Sequence, residues 1–343
     1  MSESGTRSSS DSASIVVAYG IEGEALEAFT TAVDNAAEVV VLPASPDARR
    51  ATLLRNAVAV LTRNTARDFK PGELAMLERA RVLQCFSAGV DFMPLYDVPA
   101  HVPIACNAGA FAEPMAEHAL TMILAAFKRL LIEHEALRHG QFNQFTRNRS
   151  LAGSTVGIYG FGGIGMATAK LVRALGANVL AINRRGITQE TVDFIGKPGD
   201  LDYLLRESDA LVVSAPYTRD TKHLFGAREL ARMKKDAALV NLARGELVDE
   251  LALYAHLQAH PTFTACIDAW WVEPVRHGEF RMQAPFMNLP NVIGSPHNSA
   301  SVSRAGSPPH RLAGENCRRV ALGHAPLNIV DRTVNPLQTG GVA

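Results

Sequence analysis

The sequence predicts an α/β protein built from two doubly wound parallel sheets, and three features of the chain indicate this fold class. Its 343 residues, 47% of them hydrophobic, exceed the size of one ordinary core, so two domains are expected. Short apolar and β-branched runs alternate with helix-compatible stretches in two separate series. A glycine-rich loop follows the first strand-like run of the second series.

The first series of strand-like runs fits βαβ units around a parallel sheet. Four strands are predicted there, at residues 14–19, 38–42, 58–62 and 82–86. Residues 1–13 precede them and are polar and serine-rich, without the apolar run that a secretory signal needs. We predict a disordered tail for this segment.

A long helix should connect the two series. Its pattern opens at Glu113-Pro114 and runs to about Arg138, and a proline near the first helical position removes no helical hydrogen bond. Charged residues interrupt the most apolar part of the pattern, which therefore fits a buried helix better than a membrane span.

The second series fits a doubly wound nucleotide-binding domain. Its six strand-like segments are residues 156–160, 179–183, 210–216, 238–243, 263–269 and 291–296. A final helix is expected over residues 312–322, and the pair Pro308-Pro309 should break or delay it.

Charge and cysteine content exclude some classes of function. Lys plus Arg and Asp plus Glu both number 34, which leaves no net field to attract nucleic acid or an anionic membrane. The four cysteines form neither a CxxC nor a Cys/His pattern, so no metal site is predicted. They fit small buried side chains in a reducing compartment, which indicates a cytoplasmic protein.

The glycine-rich loop is the first candidate binding site. Gly160, Gly162 and Gly165 form a GxGxxG pattern, with Gly163 and Ile164 between them, directly after a predicted strand and before a helix. In this setting the first glycine permits a tight turn and the second lets the backbone approach a pyrophosphate. The third allows close helix packing, and the helix N-terminus attracts the anion. The pattern therefore predicts a dinucleotide site of the Rossmann type.

The end of the next strand bears on which dinucleotide binds. An Asp or Glu there would bind the ribose 2′-OH of NAD, whereas this chain has Asn183, Arg184 and Arg185. Without the carboxylate a 2′-phosphate is not repelled, and guanidinium groups could pair with it. NADP is the preferred prediction and NAD stays open, because the two arginines could simply solvate the strand end.

Three later segments, together with the glycine loop, closely resemble the D-isomer-specific 2-hydroxyacid dehydrogenase family. They are VNLARGELVDE at 240–250, IDAWWVEP at 267–274 and GSPHNSA at 294–300. In order, they match the family segments N-x-A-R-G-x-x-V-D-E, D-V-x-x-x-E-P and P-H-I-G. The sequences FSAGVD at 86–91, CNAG at 106–109 and AEH at 116–118 also look like family landmarks. The resemblance covers nearly the whole chain after the tail.

The resemblance implies two Rossmann-like domains with the active site in the cleft between them. The substrate domain would comprise residues 14–116 plus 298–343, and the dinucleotide-binding domain residues 117–297. It also implies a homodimer formed through the cofactor domains. Short 2-keto acids such as glyoxylate and hydroxypyruvate are the expected substrates.

Residue by residue, the resemblance assigns catalysis to Arg244, Glu273 and His297, and elementary chemistry supports each role. An arginine fork can bind the substrate carboxylate and carbonyl with two parallel hydrogen bonds. The carbonyl oxygen gains negative charge as hydride reaches C2, and an imidazole can protonate it near neutral pH. A carboxylate beside that imidazole stabilises its protonated form and fixes its orientation. Each of the three could alternatively be an ordinary loop residue.

Other positions follow from the resemblance alone. Asp268 resembles an aspartate that contacts the cofactor near the nicotinamide. The remaining cofactor residues would be Ala215, Pro216, Leu242 and Ala243, and the substrate carboxylate would receive backbone N–H donors from Ser87, Ala88, Gly89 and Val90, with Arg244 and His297 also in contact with the substrate.

Two departures from the family pattern leave substrate choice open. Trp270-Trp271 replaces smaller or mixed residues, and Asn298-Ser299 stands where Ile-Gly is common. The indoles could wall a small substrate pocket, cover a dimer surface or pack in the core. Of two rival functions, the carboxylate of Glu273 argues against formate dehydrogenase, which has Gln at this position, while a dinucleotide-sensing corepressor or scaffold with little turnover stays open.

Overall fold

The computed structural model describes residues 14–303 and 305–334, and these form two compact units. The first unit extends to Ala110 and resumes at Ser303, while the second comprises Phe111–Val302. The divisions fall a few residues from the predicted domain boundaries. The predicted disordered tail, residues 1–13, lies outside the described residues.

The first unit is a five-stranded parallel sheet with helices. Up to Ala110 its elements are β1 (Ser14–Val17), α1 (Gly23–Val33), β2 (Glu38–Val41), α2 (Asp47–Asn56), β3 (Ala57–Thr62), α3 (Thr65–Asp68), β4 (Val82–Cys85) and β5 (Ile104–Ala105), with short 3-10 turns at Leu42–Ala44 and Leu74–Met76. The strand order is β2-β1-β3-β4-β5. The four predicted strands are confirmed, and β5 was not predicted.

The second unit is a seven-stranded parallel sheet covered by helices. Its elements are α4 (Ala112–Phe127), α5 (Leu130–Arg138), β6 (Thr155–Tyr159), α6 (Gly163–Ala174), β7 (Asn178–Ile182), β8 (Phe194–Gly196), α7 (Leu201–Glu207), β9 (Ala210–Val213), α8 (Ala227–Leu230), β10 (Ala238–Asn241), α9 (Glu250–Ala259), β11 (Thr264–Ile267), α10 (Pro274–His277) and β12 (Val292–Gly294). Three 3-10 turns lie at Pro198–Asp200, Gly245–Leu247 and Phe286–Asn288. The six predicted strands are confirmed, and β8 is an additional edge strand.

The strand order of this sheet is β12-β11-β10-β9-β6-β7-β8. From β6 the next strands are added on one side, and from β9 they are added on the other side, so the order of the strands reverses between β6 and β9. In open parallel sheets ligands bind at the carboxyl ends of the strands, where the order reverses. The glycine loop follows β6, and Ala215 lies just beyond β9. The fold thus places both segments at the expected position of a dinucleotide.

The predicted helix from Glu113 to Arg138 is two helices in the structure. It breaks after Phe127, and Arg129 adopts a left-handed conformation with φ of 51° at the N-cap of α5. The periodicity of the apolar residues continues across this break, which is why the sequence predicted one helix.

The helix α11 (Pro308–Ala321) returns the chain to the first unit, where it packs on α1. The expectation that Pro308-Pro309 would break or delay this helix was wrong, because the prolines occupy its first two positions. Proline is favoured there since the N–H groups of the first turn have no partner within the helix.

A group of aromatic rings lies where this helix meets the sheet of the first unit. His310, in the first turn of α11, packs against Phe86 with 4.5 Å between ring centroids, and Tyr19 lies 6.4 Å from it. The Nδ1 atom of His310 hydrogen-bonds to Ser307 Oγ at 2.7 Å. Burial, and secondarily the charge of Arg63, lowers the pKa of His310 to about 4.

The observed architecture confirms the predicted fold class, an α/β protein with two parallel sheets. Helices cover both sheets, most strand residues are buried, and the strands are accordingly rich in Val, Ile, Leu and Ala. Among the described residues, no helix combines the length and apolar character that crossing a bilayer requires.

Candidate active site

The candidate residues of the second unit collect at one edge of its sheet. All seven strands are parallel, so the loops that follow them emerge at the same edge. The predicted site residues in these loops are Gly160, Gly162, Gly163, Ile164 and Gly165 after β6, Asn183, Arg184 and Arg185 after β7, Ala215 and Pro216 after β9, Leu242, Ala243 and Arg244 after β10, Asp268 and Glu273 after β11, and His297 after β12.

The glycine loop has a backbone that only glycine permits at Gly160 and Gly165. Gly160 has a φ of 98°, and a Cβ there would lie 2.3 Å from the backbone nitrogen of Ala215. At Gly165 a Cβ would meet the carbonyl oxygen of Gly160 at 2.9 Å, which explains the third glycine. Gly162 caps α6 and faces open space, since a Cβ added there would have no atom within 4 Å. The first-turn N–H groups of α6 therefore remain approachable.

Arg244 sits between β10 and a 3-10 turn, and the packing of the next residue fixes its position. A Cβ on Gly245 would lie 2.4 Å from the carbonyl carbon of Trp270, so only glycine permits this approach. The carbonyl oxygen of Arg244 accepts a hydrogen bond from the Asn241 side chain, and its guanidinium donates to the Ala243 carbonyl at 2.7 Å. The half-buried guanidinium is thus held beside the segment that carries Glu273.

The two tryptophans are part of the core of the second unit. Trp270 is 4% and Trp271 7% exposed. The indole N–H of Trp270 donates to the Ser295 carbonyl and that of Trp271 to the Val248 carbonyl, both at 2.8 Å. Trp271 also stacks on Phe286. Of the three roles that the sequence left open, core packing fits these contacts.

Glu273 and His297 form a close pair. The Nδ1 atom of His297 lies 2.8 Å from each carboxylate oxygen of Glu273. The carboxylate also accepts the backbone N–H of Trp270 at 2.7 Å. Its side chain is 9% exposed and that of His297 32% exposed. With Nδ1–H donating to the carboxylate, Nε2 is the ring nitrogen left to exchange a proton with a ligand.

The surroundings of Glu273 keep its carboxylate ionised. Burial alone would raise the pKa, and this is the largest single effect. The hydrogen bond and charge of His297, the Trp270 N–H and the charge of Arg244 together outweigh it, so the pKa lies below its ordinary value. A permanently charged carboxylate can stabilise an imidazolium at its side.

Asp268 shapes the turn that carries the imidazole. Its side chain is fully buried, and its carboxylate accepts the backbone N–H groups of Asn298 and Ser299. Its carbonyl oxygen accepts the N–H of His297 at 2.9 Å. His297 has a φ of 50°, a left-handed conformation that costs a non-glycine residue about 1–3 kcal/mol. The contacts with Asp268 hold this strained turn in place.

The loop after β7 presents two arginines. The Asn183 side chain accepts the N–H groups of Arg185 and Gly186 and donates to the Ile187 carbonyl, so it braces the loop. The side chains of Arg184 and Arg185 are exposed, and within the described chain neither has an ion-pair partner.

The remaining candidates belong to the first unit. Ser87, Ala88, Gly89 and Val90 follow β4, and the Ser87 hydroxyl donates to the Gly89 carbonyl at 2.7 Å. The Ser87 carbonyl accepts the N–H of Asn107. Their predicted contact with a substrate carboxylate stays a prediction.

The carboxyl edge of the second unit fits a dinucleotide. The glycine loop offers an approachable helix N-terminus, and Ser299, 3% exposed, has a buried hydroxyl without a hydrogen-bond partner. A buried hydroxyl of this kind is costly unless a ligand or water satisfies it. The fold and these features define a Rossmann-type dinucleotide-binding protein that carries an imidazole–carboxylate pair.

Comparison with known proteins identifies the family to which this chain belongs. Residues 120–299 match the family model described as D-isomer specific 2-hydroxyacid dehydrogenase, NAD binding domain. The chain therefore belongs to the D-isomer-specific 2-hydroxyacid dehydrogenase family, which confirms the resemblance.

Individual relatives agree with this membership. A glyoxylate reductase from Thermofilum pendens is 30% identical over 74% of this chain and 76% of its own length. A D-3-phosphoglycerate dehydrogenase from Methanocaldococcus jannaschii is 30% identical over 74% of this chain but only 48% of its own, so the chain spans about half the length of that relative. The solved structure of a Pyrobaculum aerophilum protein, provisionally named a formate dehydrogenase, is 30% identical, covers 93% of this chain and 98% of its own, and superposes with a TM-score of 0.76.

Proposed function

We propose that the protein is a D-2-hydroxyacid dehydrogenase that reversibly reduces a short 2-keto acid with a nicotinamide dinucleotide. The observation that carries this proposal is the pairing of His297 with the ionised Glu273 at 2.8 Å, at the edge of a dinucleotide-binding sheet. The bound dinucleotide supplies the hydride that adds to C2 of the keto acid.

In this reaction Arg244 binds the substrate. A guanidinium offers two parallel N–H donors to a carboxylate or to a carboxylate and the neighbouring carbonyl. The Gly245 contact and the bond to the Ala243 carbonyl restrict where the fork can lie, so the substrate would be oriented at binding.

His297 supplies the proton. As negative charge develops on the carbonyl oxygen, Nε2–H of the imidazolium donates to it, and Glu273 stabilises the imidazolium until then. In the oxidative direction the neutral Nε2 accepts the hydroxyl proton. Asp268 contributes by holding the His297 turn, and the resemblance implies that it would also contact the nicotinamide end of the cofactor.

Substitution of His297 tests the proposal. We expect His297→Ala to lower kcat for glyoxylate reduction by about 10²–10⁴-fold while dinucleotide binding, followed by tryptophan fluorescence, is retained. His324→Ala, at an exposed position just after α11, is the matched control and should be fully active. Near-normal turnover of the His297 variant would contradict the assignment. Dinucleotide binding without turnover of any 2-keto acid would instead favour the corepressor or scaffold function.

The geometry of the loop after β7 supports a preference for NADP over NAD. Asn183 replaces the carboxylate that would repel a 2′-phosphate, and it braces a loop with two exposed guanidinium groups. We expect Arg184→Ala together with Arg185→Ala to lower kcat/KM for NADPH at least tenfold and to leave that for NADH nearly unchanged. Asn183→Asp should act in the same direction by repulsion.

An exposed arginine elsewhere gives the control for this test. Arg206→Ala, on α7, removes one exposed guanidinium away from the β7 loop and should leave the NADPH/NADH ratio unchanged. A wild-type preference for NADH, or equal effects of the arginine substitutions on both cofactors, would refute the NADP proposal.

For the substrate we propose glyoxylate, hydroxypyruvate or another short 2-keto acid. The relative from Thermofilum pendens is named a glyoxylate reductase, which supports this class. Backbone N–H groups of Ser87 to Val90 would complete the recognition of the substrate carboxylate. A panel of 2-keto acids followed through NADPH and NADH absorbance tests the range.

A homodimer formed through the second unit is a further part of the proposal. Apolar side chains are exposed on α5 and just after it, namely Leu130, Leu131, Leu137, Phe142 and Phe145, with exposures from 48% to 84%. A patch of this kind is typical of a protein interface. Light scattering after size exclusion should give a dimer, and Leu131→Glu with Phe145→Glu should give a monomer. A wild-type monomer would refute this.

We propose a cytoplasmic location on the basis of the thiols. The side chains of Cys85, Cys266 and Cys317 are fully buried and unpaired, and Cys106 is half-buried and also free. Unpaired thiols persist in a reducing compartment.

A further inference from the structure

A chain of hydrogen bonds connects α4 with the turn that carries His297. The Nε2 atom of His118, on α4, lies 2.9 Å from Ser295 Oγ. The Ser295 hydroxyl in turn lies 2.6 Å from Oδ1 of Asp268, which is 3.9 Å from the same imidazole nitrogen. All three residues belong to the second unit, and none of these contacts was anticipated from the sequence.

The direction of these bonds follows from the number of protons available. The Ser295 hydroxyl has one proton, and both carboxylate oxygens of Asp268 already accept backbone N–H groups, so in the 2.6 Å contact the hydroxyl donates to Asp268. The Ser295 oxygen can then only accept from His118. Nε2 of His118 must therefore carry a proton, and the imidazole acts as a fixed donor in this network.

Asp268 connects these hydrogen bonds to the turn that carries the imidazole of His297. Its carboxylate also accepts the N–H groups of Asn298 and Ser299, and its carbonyl accepts the N–H of His297. Rotation of the Asp268 side chain would break the two bonds that its carboxylate accepts and would loosen the strained turn at His297, where φ is 50°. With one of its two oxygens tied to Ser295, the carboxylate has a single satisfactory orientation.

We propose that His118 is a positioning residue for the reaction. Through Ser295 it fixes the Asp268 carboxylate, and thereby the geometry in which His297 meets both Glu273 and the substrate. His118 itself touches neither substrate nor reacting atoms. The kinetic part of this inference rests on the function proposed above, whereas the structural part does not.

Three substitutions test the kinetic part. His118→Leu removes the donor, and we expect kcat to fall about tenfold with little change in KM for the keto acid, which corresponds to the loss of one hydrogen bond. His118→Gln keeps an N–H donor near the Nε2 position and should restore most of kcat. Ser295→Ala interrupts the same chain, so adding His118→Leu to it should cause little further loss. His324→Leu, at an exposed histidine just after α11, is the matched control.

The two tryptophans provide a readout that needs no turnover. The Trp270 indole N–H donates to the Ser295 carbonyl, whereas that of Trp271 donates to Val248. The chain contains only these two tryptophans, so a proton–nitrogen correlation spectrum shows two indole signals, which Trp271→Phe assigns. We expect His118→Leu to shift the Trp270 signal and to leave the Trp271 signal in place.

Each outcome decides between positioning and simple packing. Unchanged kcat with an unmoved Trp270 signal in His118→Leu would overturn the proposal. A fall in thermal stability with wild-type kcat, or a loss of kcat that glutamine fails to restore, would show that His118 only packs. If no 2-keto acid is turned over by the wild-type protein, the proposed function fails, while the indole signals still decide whether His118 holds the Ser295 segment.

Discussion

Replacing Glu273 with glutamine separates the charge of this side chain from its shape. In the wild-type protein one carboxylate oxygen accepts from the Trp270 N–H at 2.7 Å, and both oxygens lie 2.8 Å from His297 Nδ1. Glutamine keeps one acceptor oxygen but turns an NH2 group towards the imidazole. The turn should persist, while the negative charge beside the imidazolium is lost.

The size of the effect follows from the hydrogen bond that changes. A hydrogen bond to a charged group contributes about 1.5–3 kcal/mol, against about 0.5–1.5 kcal/mol for a neutral one. The protonated imidazole that reduction requires is thus destabilised by roughly 1–1.5 kcal/mol, the difference between the two contributions, and kcat should fall about tenfold. Because protonation becomes harder, the alkaline limb of the pH profile for reduction should move to lower pH.

The assay is the pH dependence of kcat for glyoxylate reduction at saturating dinucleotide. Glu279→Gln serves as control, since that side chain is 60% exposed and pairs only with Arg281 in the described structure. It should leave both the rate and the pH profile unchanged. A Glu273→Gln variant within threefold of wild type, with an unshifted alkaline limb, would refute the role of the carboxylate charge.

Three further outcomes are expected. Gly160→Ala should lower the free energy of unfolding by about 2–4 kcal/mol, because its Cβ would lie 2.3 Å from a backbone nitrogen at a φ of 98°. Gly162→Ala should fold normally and only weaken dinucleotide binding. Calorimetric unfolding measures the first effect, and titration with the dinucleotide measures the second. Gly245→Ala should push the Trp270–Trp271 backbone away and lower kcat more than it lowers substrate affinity, as steady-state kinetics would show. His310, whose pKa is lowered to about 4, is neutral in the folded protein but takes up a proton on unfolding below its ordinary value of 6.5. The contribution of the neutral imidazole to the free energy of unfolding is therefore complete above that ordinary value. It falls as the pH drops towards 4, and the loss is about 2 kcal/mol at pH 5. Urea unfolding at pH 7 and pH 5 should show this difference in wild type and a smaller one in His310→Asn, and equal pH dependences would contradict it.

Most of the fold could be predicted from the sequence because buried parallel strands are continuous apolar runs. The strands that were missed, β5 and β8, have two and three residues, too few to show any pattern. The break at Arg129 was missed for a different reason. A single left-handed residue interrupts a helix without disturbing the spacing of its apolar side chains.

The candidate site was predicted less completely. The pairing of Glu273 with His297 was implied by the family resemblance and supported by elementary chemistry, and the structure brings the two side chains into contact. Ser295 was missed, although its position two residues before His297 at the end of a strand is a usable signal. The connection between His118 and Asp268 could not be foreseen, since it joins residues 150 positions apart through a serine that no motif marks.

The distribution of thiols and indoles gives this chain a natural spectroscopic pair. Burial raises the pKa of all four thiols, and of these Cys106 alone retains contact with solvent. It lies in the first unit, whereas both tryptophans lie in the second. A dye attached slowly to Cys106 at alkaline pH would therefore report on the first unit and the indoles on the second, without any engineered label site.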